Sequence, residues 1–360
     1  MGKKLINNKI QDKFKVFSYQ KSRNIIEKIS KIKGVKIIDE FDEQIIELYK
    51  FFNPGVSFNQ AQYNLFKKKY FSKRSSKEKG RWIWYPWNKS LVHLLSPKDF
   101  QRIRTSRNRY LITDQEQEEY RKACVAIAGV SVGSNIAITL RLQGGAQHLK
   151  LSDFDILELS NTNRITLGVP YLGEEKIDIV KQKILEIDPY TKLSLFPKGL
   201  NSNNIRQFCQ GSDIVFDEVD NLQIKVLLRK YARKFKKPLI MLTDNDDGVL
   251  VDYYPYHKKI DVPLFHGLPD NKVLNLINAK KPPTKSEMVK LSSQVVGKQN
   301  ISPRMMKSLK AVGKTLVSWP QLGTAAIFSG VIGAYMTRMI INGYDFRFRR
   351  RLIRLNDQLI

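Results

Sequence analysis

Asn161, Asn163, Arg164 and Lys176 sit close together in the middle of this 360-residue sequence, the lysine in a Gly173-Glu174-Glu175-Lys176 run that opens a helix. Two amides, an arginine and a lysine in one cluster suit a triphosphate. They gather charge where a phosphoryl group takes up negative charge in the transition state. Read as structure alone, the same residues make a polar loop with a helix-capping lysine. Further on, DEVDN (Asp217 to Asn221) ends an apolar run in carboxylates, and magnesium prefers oxygen ligands of this kind. Asp220 is the better metal candidate, because one Asp of such a pair often caps the next helix.

The elements that must position this cluster are legible as strand, turn, helix, strand and acid. Cys124 to Ala128 is an apolar run without alternation, as expected of a parallel strand buried on both faces, and Gly129 ends it. A helix from about Ser134 to Leu142 would turn its free N–H groups toward that glycine turn, where a phosphate can approach. A second strand begins at Leu149 to Leu151. Asp153 follows it, 24 residues after Gly129, near the roughly 20 at which a nucleotide-binding βαβ unit places its ribose acid. Leu193 to Phe196, Asp213 to Phe216 and Pro238 to Leu242 supply further strands, and Gly248 to Tyr254 another that can run antiparallel.

Lys and Arg number 62 against 34 Asp and Glu, a net charge of +28. That excess suggests anionic partners. Lys, Ile and Asn are abundant throughout, so nucleic acid is not the expected partner. Two cysteines exclude a disulfide framework and a four-cysteine zinc site, and with no signal peptide the expected compartment is the cytoplasm. Residues 1 to 90 hold 21 Lys and Arg against 8 acids. Two helical patterns, Ile25 to Ile32 and Asp42 to Phe52, are followed by a basic run from Lys67 to Lys79 that reads as a solvated linker. Trp82, Trp84 and Trp87 read as a buried clasp onto the next domain. Thr113 with Glu116 looks like a capping box that starts the helix before the first strand. From Asp261 to Ser318 the pattern is weak, with Pro282-Pro283, and His266 reads as a packed histidine. Gly323 to Ile341 is apolar enough to raise a membrane span, but Arg338 interrupts it, and a helix buried in a soluble core is expected.

Arg109, GVSVGS, DFD, SNTNR, the Lys176 motif and DEVDN together resemble, in order and spacing, the ThiF/MoeB/ubiquitin-activating superfamily of adenylyltransferases. The resemblance covers about residues 102 to 255 and resumes at Gly330 to Gly343. It implies an α/β fold, a Rossmann-like mostly parallel sheet with helices on both faces, here with a small, mainly helical N-terminal extension. The expected division is an N-terminal partner-binding region over 1–100, an adenylation domain over 101–255 and a C-terminal part over 256–360 that completes it. The implied chemistry is ATP- and magnesium-dependent adenylation of a carboxylate, typically the C-terminus of a ubiquitin-like protein or a peptide, with pyrophosphate released. Residue by residue, Gly129, Ser131 and Gly133 resemble the phosphate turn, and Asp153 with Asp155 the ribose acids. Asn161, Arg164 and Lys176 resemble the triphosphate grip and Asp220 the magnesium aspartate. Arg109 is similar to the arginine that reaches the partner subunit's site in such dimers, which implies a homodimer. Ser131 replaces the usual middle glycine of the turn, and the zinc-binding CxxC pairs are absent. With no cysteine after the crossover region, a thioester relay on this chain is not expected. The competing readings are an NAD(P)-dependent oxidoreductase, which leaves the Asn161, Arg164, Lys176 and Asp220 set without a purpose, and a basic non-catalytic scaffold.

Overall fold

The computed structural model describes residues 13–266, 270–277 and 294–359, so the Pro282-Pro283 stretch lies outside the described residues. The chain forms two compact units, Met1–Thr113 and Asp114–Ile360, each considered by itself.

In the first unit helices outweigh strands, but a four-stranded sheet that the sequence pattern does not announce lies at its centre. Strands β1 (Lys15–Phe17), β2 (Lys36–Ile38), β3 (Arg81–Tyr85) and β4 (Ser90–Leu94) lie in the order β1-β3-β4-β2, with β2 parallel to β4. Within the first unit Trp82 and Trp84 are buried on β3 in a core with Phe17, Ile26, Ile29 and Leu91, and Trp87 lies in the turn before β4. The expected linker from Lys67 is instead the end of the helix Gln60–Phe71, with Tyr63 and Phe71 buried. Lys67 and Lys68 stay near solvent while the aromatic face turns inward, so charge density hid a helix.

The second unit carries a seven-stranded sheet of β5 (Cys124–Ala128), β6 (His148–Ser152), β7 (Lys192–Phe196), β8 (Ile214–Asp217), β9 (Leu239–Asn245), β10 (Gly248–Tyr254) and β11 (Arg350–Arg354). Their order is β11-β10-β9-β8-β5-β6-β7, with β5 to β9 parallel and β10 and β11 antiparallel. The Rossmann-like expectation is met. On β5, Val125 and Ile127 join one core with Ile136, Leu140 and Ile332, while Ala126 and Ala128 join another with Phe208, Leu228 and Ala232. Both faces of the strand are therefore buried, which is why its sequence shows no alternation. The chain winds from β5 outward to β7, then crosses back to place β8 on the other side of β5. That reversal makes a switch point, and ligands bind outside the carboxyl ends of strands at such points.

The helix Gly323–Ile341 is long and apolar enough to cross a membrane by length and composition, yet half of its apolar window is buried in this fold. It lies against the helix Val132–Leu142, with Gly330 and Gly333 at the crossing. A Cβ at Gly330 would sit 2.8 Å from the carbonyl carbon and oxygen of Asn135, and backbone cannot yield as a flexible side chain can. Gly330→Ala is therefore expected to cost about 1–3 kcal/mol as the two helices are forced apart. A urea unfolding midpoint equal to that of the wild type would show that the helices have slack.

Candidate active site

At the switch point the turn after β5 is built by one carboxylate. Asp153 is buried, and its Oδ2 accepts the Val130 N–H at 2.7 Å while its Oδ1 accepts the Asp155 N–H at 2.8 Å. Burial raises the Asp153 pKa, and the two backbone donors oppose that rise. Gly129 donates its N–H to Ser152 and has φ of +88°, with the backbone of Glu218 so near that a Cβ would fall 2.4 Å from its oxygen. Here glycine is required twice, by the left-handed backbone and by the close approach. Gly133 serves packing: a Cβ there would lie 2.6 Å from the Ile127 side chain, so the Val132–Leu142 helix could not seat on its strand.

Above this turn Lys176 is buried at the start of the helix Lys176–Ile187. Its Nζ donates to Asp155 Oδ2 at 3.0 Å and to Ser131 Oγ at 3.4 Å. The serine that stands at the middle glycine position thus holds the lysine over the turn. The positive end of this helix's dipole lies at the same place, although the Lys176 N–H already donates to Asp155 O and the Asp178 N–H to Glu175 O.

Arg164 stands on a loop tied to the helix Val132–Leu142, since Asn135 Nδ2 donates to its carbonyl at 3.1 Å. Its guanidinium is half-buried, donating to Ser160 O and Asn163 Oδ1, each at 2.9 Å, and its Nε is buried with no hydrogen-bond partner. Burial lowers its pKa, against the attraction of Asp244 and Asp220. A half-buried cation that burial disfavours is suited to pairing with an anion. Asn161 turns its side-chain carbonyl onto the Glu158 N–H at 3.1 Å and shapes this loop from within.

The acids of DEVDN separate by environment. Burial alone would raise Asp217, but Lys225 and Arg229 hold it below the usual carboxylate range; Lys225 is 3.2 Å away and Arg229 closes a tight buried pair. Glu218 accepts the Leu242 N–H beneath the turn, and burial pushes its carboxyl well above the usual range. Asn221 caps the next helix by accepting the Ile224 N–H at 3.1 Å. Asp220 is left exposed, close enough to Arg164 to attract its charge. The structure thus brings Gly129, Ser131, Gly133, Asp153, Asp155 and Lys176 together, and sets Asp220 within electrostatic reach of Arg164. Arg109 belongs to the first unit, where its guanidinium lies 5.2 Å over the Phe51 ring. Sequence reading missed Asp244, Glu218 and Asn135; Asp244 lies two residues beyond the predicted strand Pro238 to Leu242 and on the observed strand Leu239–Asn245.

Residues 105–243 match the ThiF family model, so this stretch carries the ThiF signature. It is 38% identical over 247 residues to an uncharacterized protein of Mycobacterium tuberculosis, covering 68% of this chain and 34% of that protein. It is 30% identical to the adenylyltransferase and sulfurtransferase MOCS3 of Drosophila virilis, over 34% of this chain and 28% of that one. The chain thus spans about a third of the length of these curated relatives. Among solved structures, the E. coli tRNA N6-threonylcarbamoyladenosine dehydratase TcdA in complex with ATP matches with a TM-score of 0.47 and 17% identity, over 67% of this chain and 94% of that one.

Burial pushes the Asp244 carboxyl up to about 6, against hydrogen bonds from Ser329 and Gln321 and the charge of Arg164. A group raised above its unfolded value of 3.8 favours the folded state below that value and loses this contribution as pH rises through about 6. Asp244→Asn should therefore gain stability relative to wild type between pH 4 and pH 7, reaching about 3 kcal/mol at neutrality. Parallel unfolding midpoints across that range would contradict the burial of an ionised Asp244.

Proposed function

We propose that this chain adenylates a carboxylate with ATP. The observation that carries the reading is the pair of cationic groups over one anion-binding turn: Lys176, seated by Asp155 and Ser131, and Arg164 with its unpartnered Nε. A dinucleotide oxidoreductase shares the turn but has no task for these cations. The relatives' printed names, which include several adenylyltransferases, support the same choice.

In this reading the substrate's carboxylate oxygen attacks the α-phosphorus of ATP in line. The bond from that phosphorus to the bridging oxygen breaks, and pyrophosphate leaves with the electron pair. Lys176 and Arg164 neutralise the charge that grows on the departing phosphates, and the turn fixes the α-phosphate for in-line geometry. Magnesium fits the donor set at one residue. Asp220 is an exposed carboxylate within electrostatic reach of Arg164, and such ions are bound through one or two carboxylates with substrate phosphates completing the shell. When bound there, the ion would supply further charge neutralisation of the phosphates. The acyl substrate we infer is the C-terminus of a small protein or peptide, and the working form a homodimer to which Arg109 contributes.

Neither cysteine suits an acyl relay. Cys124 and Cys209 are both buried, and burial raises both thiols, Cys209 to about 12. A thiolate is the nucleophile, and little of it would exist at neutral pH. The product on this chain is then the acyl-adenylate, released or passed to an external nucleophile.

Pyrophosphate exchange into ATP, assayed with candidate peptides, tests the reading. Arg164→Ala, Lys176→Ala and Asp220→Ala should each lower exchange by roughly a hundredfold or more while leaving the unfolding midpoint within about 1 kcal/mol of wild type. Exchange at the wild-type rate in all three would remove the site assignment. The double variant Cys124→Ser with Cys209→Ser should still form adenylate, and a lost adenylate burst would place a thiol in the reaction.

A further inference from the structure

Arg164 is held from a part of the chain that lies far beyond the stretch matching the ThiF family, which ends at residue 243. The half-buried Gln321 donates its side-chain amide to Asp244 Oδ2 at 3.3 Å, and Ser329 donates to Asp244 Oδ1 at 2.9 Å. The backbone carbonyl of Gln321 accepts from Asn163 Nδ2 at 2.9 Å, and Asn163 Oδ1 accepts from the Arg164 guanidinium at 2.9 Å. Two residues on, Gly323 lies so close that a Cβ would stand 2.5 Å from the Asn163 carbonyl oxygen. A continuous series of hydrogen bonds thus runs from the buried Asp244 through Gln321 and Asn163 to Arg164. Among the described residues, the side chain of Arg164 also donates to Ser160 O on its own loop.

We propose that Gln321 is a positioning residue for the nucleotide site, its side chain tethering the 321–323 segment to Asp244 so that the segment's backbone holds Asn163, and through it Arg164, in place for a phosphate. The inference rests on the adenylation reading and adds a determinant from the C-terminal part of the chain. It also gives the buried Asp244 a purpose: an acceptor with two oxygens can take Ser329 and Gln321 at once, which pins the segment to the end of β9. A substitution that only loosened the fold would weaken nucleotide binding whether or not Arg164 were present. Gln321 acting through Arg164 has no effect once the arginine is gone.

The experiment is calorimetric titration of the full chain with magnesium-ATP in four forms: wild type, Gln321→Leu, Arg164→Ala and the double variant. Leucine keeps the bulk of Gln321 and removes its amide. Gln321→Leu and Arg164→Ala should each weaken binding about tenfold, as expected for loss of a hydrogen bond to a charged group, and the double variant should bind no more weakly than Arg164→Ala. Wild-type affinity in Gln321→Leu, or losses that multiply to about a hundredfold in the double variant, would overturn the proposal. Gln321→Asn, which keeps an amide on a shorter arm, should recover part of the loss and separates tethering from packing. A wild type that binds no nucleotide would instead remove the adenylation reading, and the tether as a device for it.

Discussion

Everything at this site depends on the Asp153 carboxylate taking the Val130 and Asp155 N–H groups. One oxygen closes the turn that leaves β5, and the other fixes the loop that leaves β6, so a single buried acid joins the two strand ends that a nucleotide would straddle. Without it the backbone at Val130 would need another acceptor in a region closed to water, at a cost of about 1–3 kcal/mol for one unsatisfied group. Gly129 makes the closure compact by letting the Glu218 backbone approach from β8. The acid that the sequence suggests for ribose hydroxyls therefore serves first as the brace of the phosphate turn.

A polyanion site ringed by carboxylates should repel its ligand, and this structure resolves the conflict residue by residue. Asp217 is spent on Arg229 and Lys225, burial raises the Glu218 carboxyl well above its usual range, and Asp155 is paired with Lys176. Asp244 faces inward onto Ser329 and Gln321. Asp220 remains exposed within electrostatic reach of Arg164, and in the adenylation reading a cation bridging to phosphates would need a carboxylate there. The separation comes from environment rather than residue type, as the adjacent Asp217 and Glu218, driven in opposite directions, show.

The legibility of this fold follows the range of its interactions. The β5 turn and its helix were readable because strand burial, glycine placement and the following acid all lie within about thirty residues of one another, and each leaves a local signature. The first unit's sheet was not readable: β1 and β2 have three residues each and pair with strands 50 or more positions away, too short for periodicity to show. Lys67 to Phe71 was misread because a basic surface on a helix looks like a linker when composition is weighed above spacing. Cys124 and Cys209 were placed correctly on their elements, and burial then supplied the reason for their inertness.

The tether through Gln321 marks the limit of such reading. Asp244 and Gln321 stand 77 positions apart, and Asn163 and Gln321 stand 158 apart, so no local pattern connects them. Yet the closing helix begins only two residues after Gln321, and its Gly330 meets the helix that carries the anion turn. The same C-terminal element thereby packs the back of the nucleotide turn and holds the arginine loop at its front. Coupling of this kind lets the final third of the chain set the precision of a site whose charged groups all come from earlier residues. It also explains why an acid that costs stability when ionised is retained: a neutral amide at 244 offers one oxygen where the tether needs two.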